Sequence, residues 1–289
     1  MIIMFKKDIS LAPYTTFKIG GKVKYFYIAK TTDELKEAVK LAKKEDLPFF
    51  ILGNGSNVLI SDSGFTGLVI KIENCKLKIE NCIIYADAGI NLGNLVEESV
   101  NAGLSGLEWA IGIPGTIGGA IRGNAGALGS SMADLIKTVE VFDITNLKIQ
   151  TFKNKDCKFG YRDSIFKHNK NLIIFSAELE LKKGDRKKSE KLIKEYLKQR
   201  KEKQPLEYPS AGSIFKNPNG RAAGYLIEQC GLKDKKIGKA MISEKHANFI
   251  VNTGNAKAKD VKKLIDLCKE KVKEKFGIEL EEEIELIGF

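Results

Sequence analysis

The feature that most restricts the fold of this chain is a glycine-rich run at residues 112–126. After Gly112 it contains five further glycines within fourteen residues. Glycine has no side chain to pack and loses more conformational freedom on folding than any other residue, so this density disfavours a regular helix or strand. We therefore expect a loop whose backbone closely approaches a large flat or phosphorylated ligand.

A shorter glycine segment, Gly53-Asn54-Gly55-Ser56-Asn57, lies between two apolar runs at 48–52 and 58–60. Glycine at these positions allows positive φ and lets backbone amides point at a pyrophosphate. A tight connection between two strands explains the same residues, and both interpretations stay open. Neither glycine segment matches Gly-x-Gly-x-x-Gly or Gly-x4-Gly-Lys-Ser/Thr, which excludes a Rossmann fold and a P-loop.

Hydrophobic periodicity predicts an α+β protein without internal repeats. Helices are expected from Thr32 to before Pro48, and at 91–102, 185–203, 221–230 and 259–276. Strands are expected at 48–52, 58–60, 67–72, 76–79, 83–88, 138–144, 147–152, 172–181, 247–251 and 278–287. We divide the chain into three consecutive α/β segments, 1–72, 73–183 and 184–289.

The last predicted strand carries a cluster of acidic side chains. Period-two alternation places Glu281, Glu283 and Glu285 on one face, opposite Ile284 and Leu286. Periodicity cannot choose among the three glutamates.

Composition argues against several classes of protein. The net charge of +11 attracts phosphates, but the lysines alternate with acidic residues on predicted helices, which is typical of solvated faces. A basic nucleic-acid-binding protein therefore stays only as the alternative from another class. Residues 1–5 are too short an apolar run for a signal peptide, and no eighteen apolar residues run together, so we expect neither secretion nor a membrane span. Five widely spaced cysteines and two histidines indicate neither a disulfide framework nor a metal site.

Short motifs follow one another in a fixed order along nearly the whole chain. They are Thr-Phe-Lys-Ile-Gly-Gly at 16–21, Leu-Gly-Asn-Gly-Ser-Asn at 52–57, Ile-Pro-Gly-Thr-Ile-Gly-Gly at 113–119, Asn-Ala-Gly-Ala at 124–127, Gly-Tyr-Arg-Asp-Ser at 160–164, Pro-Ser-Ala-Gly-Ser-Ile-Phe-Lys-Asn-Pro at 209–218, and the segment 280–288. Together they resemble the UDP-N-acetylenolpyruvoylglucosamine reductases. Any one motif is a weak signal, whereas the ordered set is specific.

The resemblance implies an FAD-binding fold of the vanillyl-alcohol-oxidase (PCMH) type. Two α/β subdomains, 1–72 and 73–183, would hold FAD, and a C-terminal α/β domain, 184–289, would bind the substrate. The flavin is expected to be noncovalent, because neither His168 nor His246 lies in a glycine segment. NADPH is the implied reductant.

The implied reaction converts UDP-N-acetylglucosamine enolpyruvate to UDP-N-acetylmuramate for peptidoglycan, and hence for the cell wall, cell shape and cell division. Hydride from reduced flavin adds to the terminal carbon and a proton reaches the adjacent carbon, through an enolate-like carboxylate. Such a reaction needs stabilisation of developing charge and a positioned acid. We expect a cytoplasmic monomer that binds a UDP-sugar and NADPH, but no nucleic acid and no membrane. Another noncovalent FAD oxidoreductase of the same fold is the alternative within enzymes.

The resemblance also assigns site residues. Ser213 is the implied proton donor, Arg162 braces the substrate carboxylate, and Glu283 completes the catalytic group. The implied substrate contacts are Tyr161, Lys203 and Asn217. The expected cofactor-binding residues are Gly53, Asn54, Gly55, Ser56, Asn57, Gly112, Ile113, Pro114, Gly115, Thr116, Gly118, Gly119, Asn124, Ala125 and Gly126. No metal ligand is expected.

Taken from the residues alone, each catalytic assignment has an ordinary alternative. Ser213 would be a turn or capping hydroxyl, Arg162 a surface partner of Asp163, and Glu283 one acid among several. His246 and Asn248 either line the site or pack inside the protein.

The chain also departs from the family pattern. Tyr14 stands where Asn or His is common, and Glu285 stands where Arg is common, which leaves the charge around Glu283 open. The strand before Lys182 passes almost directly into the helix at Asp185. The chain therefore resembles the shorter subtype of the family, which lacks the insertion with a substrate-covering tyrosine.

Overall fold

Helices and strands alternate along most of the chain, as the hydrophobic patterns predict. The computed structural model describes residues 4–289. Its helices are α1 (Thr32–Lys44), α2 (Leu92–Asn101), α3 (Ile117–Arg122), α4 (Ile165–His168), α5 (Arg186–Lys203), α6 (Ala223–Gln229) and α7 (Ala258–Phe276). Its strands are β1 (Lys6–Ser10), β2 (Lys22–Ala29), β3 (Phe49–Leu52), β4 (Val58–Ile60), β5 (Phe65–Ile72), β6 (Leu77–Glu80), β7 (Ile83–Asp87), β8 (Leu104–Ser105), β9 (Gly126–Ala127), β10 (Ser130–Ser131), β11 (Ile136–Asp143), β12 (Lys148–Lys153), β13 (Leu172–Glu180), β14 (Lys182–Lys183), β15 (Ser210–Ser213), β16 (Lys236–Ile237), β17 (Ala240–Ile242), β18 (Phe249–Asn252) and β19 (Glu285–Ile287).

The predicted helices are confirmed as α1, α2, α5, α6 and α7. Local chemistry explains where α1 begins, because the Thr31 side chain accepts a hydrogen bond from the Glu34 amide at 3.2 Å. The apolar residues spaced at the helical period, among them Leu35 and Val39, are fully buried. Capping and periodicity thus act together in this helix.

The described chain forms two compact units, each made of separate stretches of sequence. The first comprises residues up to Phe5, Phe26–Asn54 and Leu68–Gln199. The second comprises Lys6–Tyr25, Gly55–Gly67 and Arg200–Phe289. Residues 1–3 lie outside the described part, and the division into 1–72, 73–183 and 184–289 stays a prediction.

The first unit is built around an antiparallel sheet of the order β12–β11–β13–β7–β6. In its central strands Val139, Phe142 and Leu179 are fully buried. Burial of such a side chain contributes about 1.5–3 kcal/mol to stability. In the same unit β3 pairs in parallel with β5 over 68–71, at the strand end that precedes Gly53.

The second unit contains an antiparallel sheet of the order β15–β18–β17–β16, and α7 packs against β16, β17 and α6. Its apolar core joins Phe17, Leu59, Ile214 and Leu264, which come from all three stretches of the unit. The carboxylate of Asp62 accepts hydrogen bonds from the amides of Ala258 and Lys259, at 2.9 and 3.0 Å. Asp62 therefore caps α7 from a distant part of the sequence.

The prediction of one strand over 278–287 is wrong. Only Glu285–Ile287 forms a strand, β19, which pairs in parallel with β4. The segment before it bonds instead to 214–216, and the chain bends at Glu283 and Ile284, where it changes partner. Because the segment is not one continuous strand, alternation does not place Glu281, Glu283 and Glu285 on a shared face.

The expectation that residues 112–126 contain neither helix nor strand is also wrong. Helix α3 includes Gly118 and Gly119, and β9 begins at Gly126. The Thr116 hydroxyl caps α3 by accepting from the Gly119 amide at 3.4 Å. A cap and tertiary contacts thus outweigh the low helix propensity of glycine over this short element.

No helix within residues 4–289 is long and apolar enough to cross a membrane. Cys157 and Cys268 are buried, and burial raises the pKa of each thiol to about 12. Neither thiol is therefore ionised at neutral pH.

Candidate active site

In the first unit the two glycine segments meet at Gly53 and Thr116. A Cβ at Gly53 would lie 2.7 Å from the Thr116 hydroxyl oxygen, closer than carbon and oxygen can approach. The Asn54 amide nitrogen donates to the Gly115 carbonyl at 3.4 Å. The two glycine segments are therefore in direct contact at Gly53–Asn54 and Gly115–Thr116.

Several glycines of the long run are required by the protein itself. A Cβ at Gly118 would lie 2.9 Å from the Ala88 side chain, and one at Gly126 would lie 2.7 Å from the Ser130 carbonyl. Both positions are closed by neighbouring chain, which the prediction of close ligand contact did not foresee. Ala125, beside Gly126, bonds through its main chain to Ala120 and Met132.

Other positions of the same run are open and fit a large cofactor. Gly112, Pro114 and Gly119 are exposed, and Ile113 is half-buried. A Cβ at Gly119 would meet only the Thr116 hydroxyl within 4 Å, at 3.6 Å. Open backbone beside the packed Gly53–Thr116 contact is a surface that a flat or phosphorylated group can approach closely.

The end of the long run is tied to the segment that carries Tyr161 and Arg162. The buried Asn124 amide nitrogen donates to the Gly160 carbonyl at 2.8 Å, and its oxygen accepts from the Ala133 amide at 2.9 Å. The Ser164 hydroxyl donates to the Arg122 carbonyl at 2.6 Å. The structure thus places Arg162 in a turn fixed on both sides to the predicted cofactor segment.

Arg162 occupies a left-handed backbone conformation, with φ of 54°. Gly160 and Asp163 close the turn with two backbone hydrogen bonds at 3.0 and 3.2 Å. The half-buried guanidinium lies 5.8 Å from the ring of Tyr161, which is 59 % exposed. Left-handed backbone is disfavoured for a residue with a side chain, so the surrounding contacts hold Arg162 in this position.

Asp163, the residue after Arg162, interacts with His168 of α4. Its carboxylate bonds to His168 at 2.9 Å. Burial alone would raise the pKa of Asp163, but the hydrogen bond and charge of His168 outweigh it and lower the pKa. His168 therefore fixes the Asp163 carboxylate and favours its charged form.

In the second unit, residues next to Ser213 lie beside Glu283. The Glu283 amide donates to the Ile214 carbonyl at 2.8 Å, and the Lys216 amide donates to the Glu281 carbonyl at 2.9 Å. The Asn57 amide nitrogen donates to the Glu283 carbonyl at 3.0 Å. Ser213 and Glu283 are both half-buried. The structure thus brings together two predicted catalytic residues and a predicted cofactor residue.

Gly55 and Ser56 precede Asn57 in the same unit. A Cβ at Gly55 would overlap the Tyr14 carbonyl, and the Gly55 φ of 60° favours glycine. The Thr16 hydroxyl donates to the Ser210 carbonyl at 2.7 Å, while the Thr16 amide donates to the Gly55 carbonyl at 3.1 Å. Thr16 therefore joins the shorter glycine segment to the strand of Ser213, a role that its motif alone did not indicate.

Asn248 is the residue whose importance periodicity missed. It is buried, and its amide nitrogen donates to the Phe215 carbonyl at 2.8 Å while its oxygen accepts from the Phe215 amide at 2.9 Å. The Asn248 carbonyl accepts from the Ile214 amide at 2.8 Å. The segment after Ser213 is therefore held by Asn248 on one side and by 281–283 on the other. The available signal in the sequence was an asparagine directly before the apolar run of β18, because a polar side chain that becomes buried there needs hydrogen-bond partners.

The remaining candidates are less tightly placed. Lys203 is exposed at the end of α5, and Asn217 is exposed while its oxygen accepts from the Ala223 amide at 3.0 Å. His246 accepts a hydrogen bond from the Asn248 amide at 3.2 Å, and burial lowers its pKa. His246 thus acts as a packed residue that supports Asn248.

Comparison with known proteins places this geometry in a family. The family model described as the UDP-N-acetylenolpyruvoylglucosamine reductase C-terminal domain matches residues 204–287, and the one described as an FAD binding domain matches 23–151. The UDP-N-acetylenolpyruvoylglucosamine reductase of Caldicellulosiruptor bescii is 48 % identical over 99 % of this chain and 91 % of that protein. The chain belongs to the UDP-N-acetylenolpyruvoylglucosamine reductase family.

Further members of the reductase family agree in sequence and in structure. The UDP-N-acetylenolpyruvoylglucosamine reductase of Caldanaerobacter subterraneus is 46 % identical over 95 % of this chain and 91 % of that protein. The crystal structure of the Thermus caldophilus UDP-N-acetylenolpyruvylglucosamine reductase superposes with a TM-score of 0.86 at 36 % identity, covering 99 % of this chain and all of that one.

Membership of the reductase family confirms the predicted fold and class of activity. The chain has an FAD-binding fold of the PCMH type and the C-terminal domain of this family. It is an FAD-dependent oxidoreductase of peptidoglycan precursor synthesis.

Proposed function

We propose that the chain reduces UDP-N-acetylglucosamine enolpyruvate to UDP-N-acetylmuramate, with noncovalent FAD and with NADPH as the reductant. The observation that carries this proposal is the hydrogen bonding of Glu283 to Ile214, the residue after Ser213. Because of this bond, the candidate proton donor Ser213 and the candidate carboxylate Glu283 lie on neighbouring segments that are bonded to each other. The chain that carries them belongs to a reductase family.

FAD, when bound, would supply the hydride for the enolpyruvyl carbon. The residues proposed to hold it are the two glycine segments, with Gly53 against Thr116 and with Gly112 and Gly119 open to a ligand. Asn57 would belong to the same group through its bond to Glu283. The packed contacts fix these backbones before any ligand arrives, which reduces the entropy lost on binding.

Ser213 is proposed to give a proton to the carbon beside the substrate carboxylate. A hydroxyl is a weak acid in water, so this role requires a very basic, carbanion-like carbon and a fixed approach. The backbone bonds of Ile214 to Glu283 and to Asn248 supply the fixed approach. Glu283 is proposed to complete the catalytic group beside Ser213.

Arg162 is proposed to brace the substrate carboxylate while negative charge develops on it. The planar guanidinium can donate two parallel hydrogen bonds, which suits a carboxylate better than a lysine ammonium does. The closed turn at 160–163 supports the assignment because it holds the residue in a disfavoured backbone conformation. Tyr161, Lys203 and Asn217 are proposed to contact the UDP-sugar.

We propose two FAD-binding subdomains at 1–72 and 73–183 and a substrate domain at 184–289, in a cytoplasmic monomer. The direct connection from β13 through β14 to α5 at Arg186 supports the shorter subtype of the family.

Half-reactions of Ser213→Ala test the proposal. NADPH should reduce the flavin of the variant at the wild-type rate, but the enolpyruvyl substrate should reoxidise it more slowly by about two orders of magnitude or more. Ser210→Ala, in the same strand, is the matched control and should behave as wild type in both steps. Normal reoxidation of the Ser213→Ala flavin would remove Ser213 from the role, and a wild-type protein that the substrate does not reoxidise would remove the reaction.

A further inference from the structure

An open cavity of about 380 Å³ lies at the surface of the second unit, and none of its lining residues is a predicted site residue. It is lined by Lys18, Tyr208 and Pro209 and by residues 252–255. Its size falls in the range of small-molecule sites, about 300–1,000 Å³. The cavity can therefore hold a ligand the size of a substituted ring.

The walls of the cavity are joined by one buried residue, Asn252. Its backbone amide donates to the Pro209 carbonyl at 2.9 Å, and its side-chain nitrogen donates to the Phe17 carbonyl at 3.1 Å. Its side-chain oxygen accepts from the amides of Gly254 and Ala256, both at 2.9 Å. Three stretches distant in sequence thus meet at one residue, which holds the walls of the cavity in place without a ligand.

Lys18 stands at this cavity in a left-handed backbone conformation, with φ of 56°. Thr15 holds the turn: its hydroxyl donates to the Ile19 carbonyl at 3.0 Å and its carbonyl accepts from the Lys18 amide at 3.2 Å. The Lys18 ammonium is exposed and donates to the Pro13 carbonyl at 3.2 Å. Disfavoured backbone that its neighbours enforce is a feature of binding sites.

The chemistry of the lining residues selects an anion attached to a flat ring. Lys18 is the charged residue among them, and Tyr208 and Pro209 offer ring surfaces, with Tyr208 41 % exposed. The acid next in sequence, Glu207, pairs with Lys245 at 4.0 Å. An anionic group can therefore reach the ammonium without facing an acid on the lining, while its ring packs against Tyr208.

We propose that this cavity binds a small organic anion that carries a planar ring, with the anion at Lys18 and the ring at Tyr208. The proposal goes beyond the reductase reaction, since it uses none of the residues assigned to that reaction. Its test measures binding without turnover, so that the two proposals succeed or fail separately.

The test is an NMR titration of the FAD-loaded protein with phenyl phosphate, benzoate and inorganic phosphate. Phenyl phosphate and benzoate should bind at one site, and inorganic phosphate should bind roughly tenfold more weakly than phenyl phosphate because it lacks the ring. Saturating UDP should leave the binding of phenyl phosphate unchanged. Displacement by UDP would place the probe in the substrate site and overturn the proposal.

Matched variants locate the probe. Lys18→Met keeps the unbranched stem and should weaken phenyl phosphate binding about tenfold, whereas Lys22→Met, at another exposed lysine of the same unit, should not. Tyr208→Ala should weaken it roughly fivefold, and Tyr225→Ala, at a more exposed tyrosine, should not. Equal losses in variant and control, or no binding by the wild-type protein, would overturn the proposal.

Discussion

Replacing Asn248 by alanine tests whether a residue outside the reacting groups positions Ser213. Asn248 is 3 % exposed and makes two hydrogen bonds to the main chain of Phe215, at 2.8 and 2.9 Å. Ile214 and Lys216, on either side of Phe215, bond to the opposite segment at 281–283. Alternation along the backbone therefore turns the polar groups of Phe215 away from that segment and toward Asn248.

The size of the expected destabilisation follows from the polar groups of Phe215 that would lose their hydrogen-bond partners. Phe215 is 1 % exposed, so alanine at 248 would bury one N–H and one C=O without hydrogen bonds. Each such group costs about 1–3 kcal/mol, so the two together give a loss of about 2–6 kcal/mol in the free energy of unfolding. Asn248→Asp keeps the acceptor for the Phe215 amide but places an acid against its carbonyl, so it restores only part of the loss.

The stability assay is urea unfolding of the FAD-loaded protein followed by circular dichroism, with exposed Asn101→Ala as the control. Asn101→Ala should change the free energy of unfolding by less than about 0.5 kcal/mol. A similarly small change for Asn248→Ala would refute the reasoning from buried polar groups.

The positioning role has a separate readout. NADPH should reduce the Asn248→Ala flavin normally, while substrate should reoxidise it more slowly, because the segment that follows Ser213 is no longer held from both sides. A destabilised variant with normal reoxidation would show that Asn248 supports the fold without placing Ser213.

Three further predictions each concern a particular contact or buried group. Gly53→Ala should lower the flavin absorbance per protein and reduce the free energy of unfolding by about 1–3 kcal/mol, because its Cβ would lie 2.7 Å from the Thr116 hydroxyl. Adding Thr116→Ala should recover part of the lost absorbance and part of the lost stability. Strictly additive effects of the two substitutions would contradict the proposed clash. Burial lowers the pKa of His246 below 6.5, so the imidazole stays neutral in the folded state while the unfolded state takes up a proton as the pH falls. The free energy of unfolding should therefore drop more steeply for wild type than for His246→Gln between pH 6.5 and about pH 5. Parallel pH curves for the two proteins would contradict this prediction. A thiol reagent at about pH 8 should modify exposed Cys75 in the native protein, whereas Cys157, with its pKa raised to about 12, should react only on unfolding; mass spectrometry of the labelled peptides decides.

Elements with a strong local pattern were predictable from the sequence. A helix was expected over 259–276 and is present as α7; Val261, Leu264 and Ile265, which repeat at the helical period, are fully buried. The apolar run at 58–60 was expected as a strand and forms β4 with the same bounds. In both cases burial and local propensity favour the same structure.

Elements decided by distant partners were not predictable. The segment 281–287 looks like one strand, yet Ile214 bonds its first half and Asn57 its second, and this exchange sets the position of Glu283. Helix α3 forms within a glycine-rich run because Thr116 caps it and the Ala88 carbonyl accepts from the Gly118 amide. Neither set of hydrogen bonds can be inferred from the spacing of apolar residues in the sequence.

The candidate site also depends on contacts between segments that are distant in sequence. Ser213 and Glu283 are about seventy residues apart, and only the ordered motifs suggested that both act in one reaction. The supporting residues Asn248 and Thr16 bond mainly to backbone atoms of other segments. Such contacts depend on the complete fold, which is why a pattern of residue types did not identify their roles.

During synthesis, strand β4 leaves the ribosome more than two hundred residues before β19, the strand it pairs with. Most of the first unit lies between them in sequence and can fold while synthesis continues. Until β19 arrives, Leu59 and Ile60, which end fully buried, belong to an unpaired apolar strand that can associate with other chains. Glu283 therefore comes to lie beside the segment of Ser213 only after residues 281–287 have been synthesised.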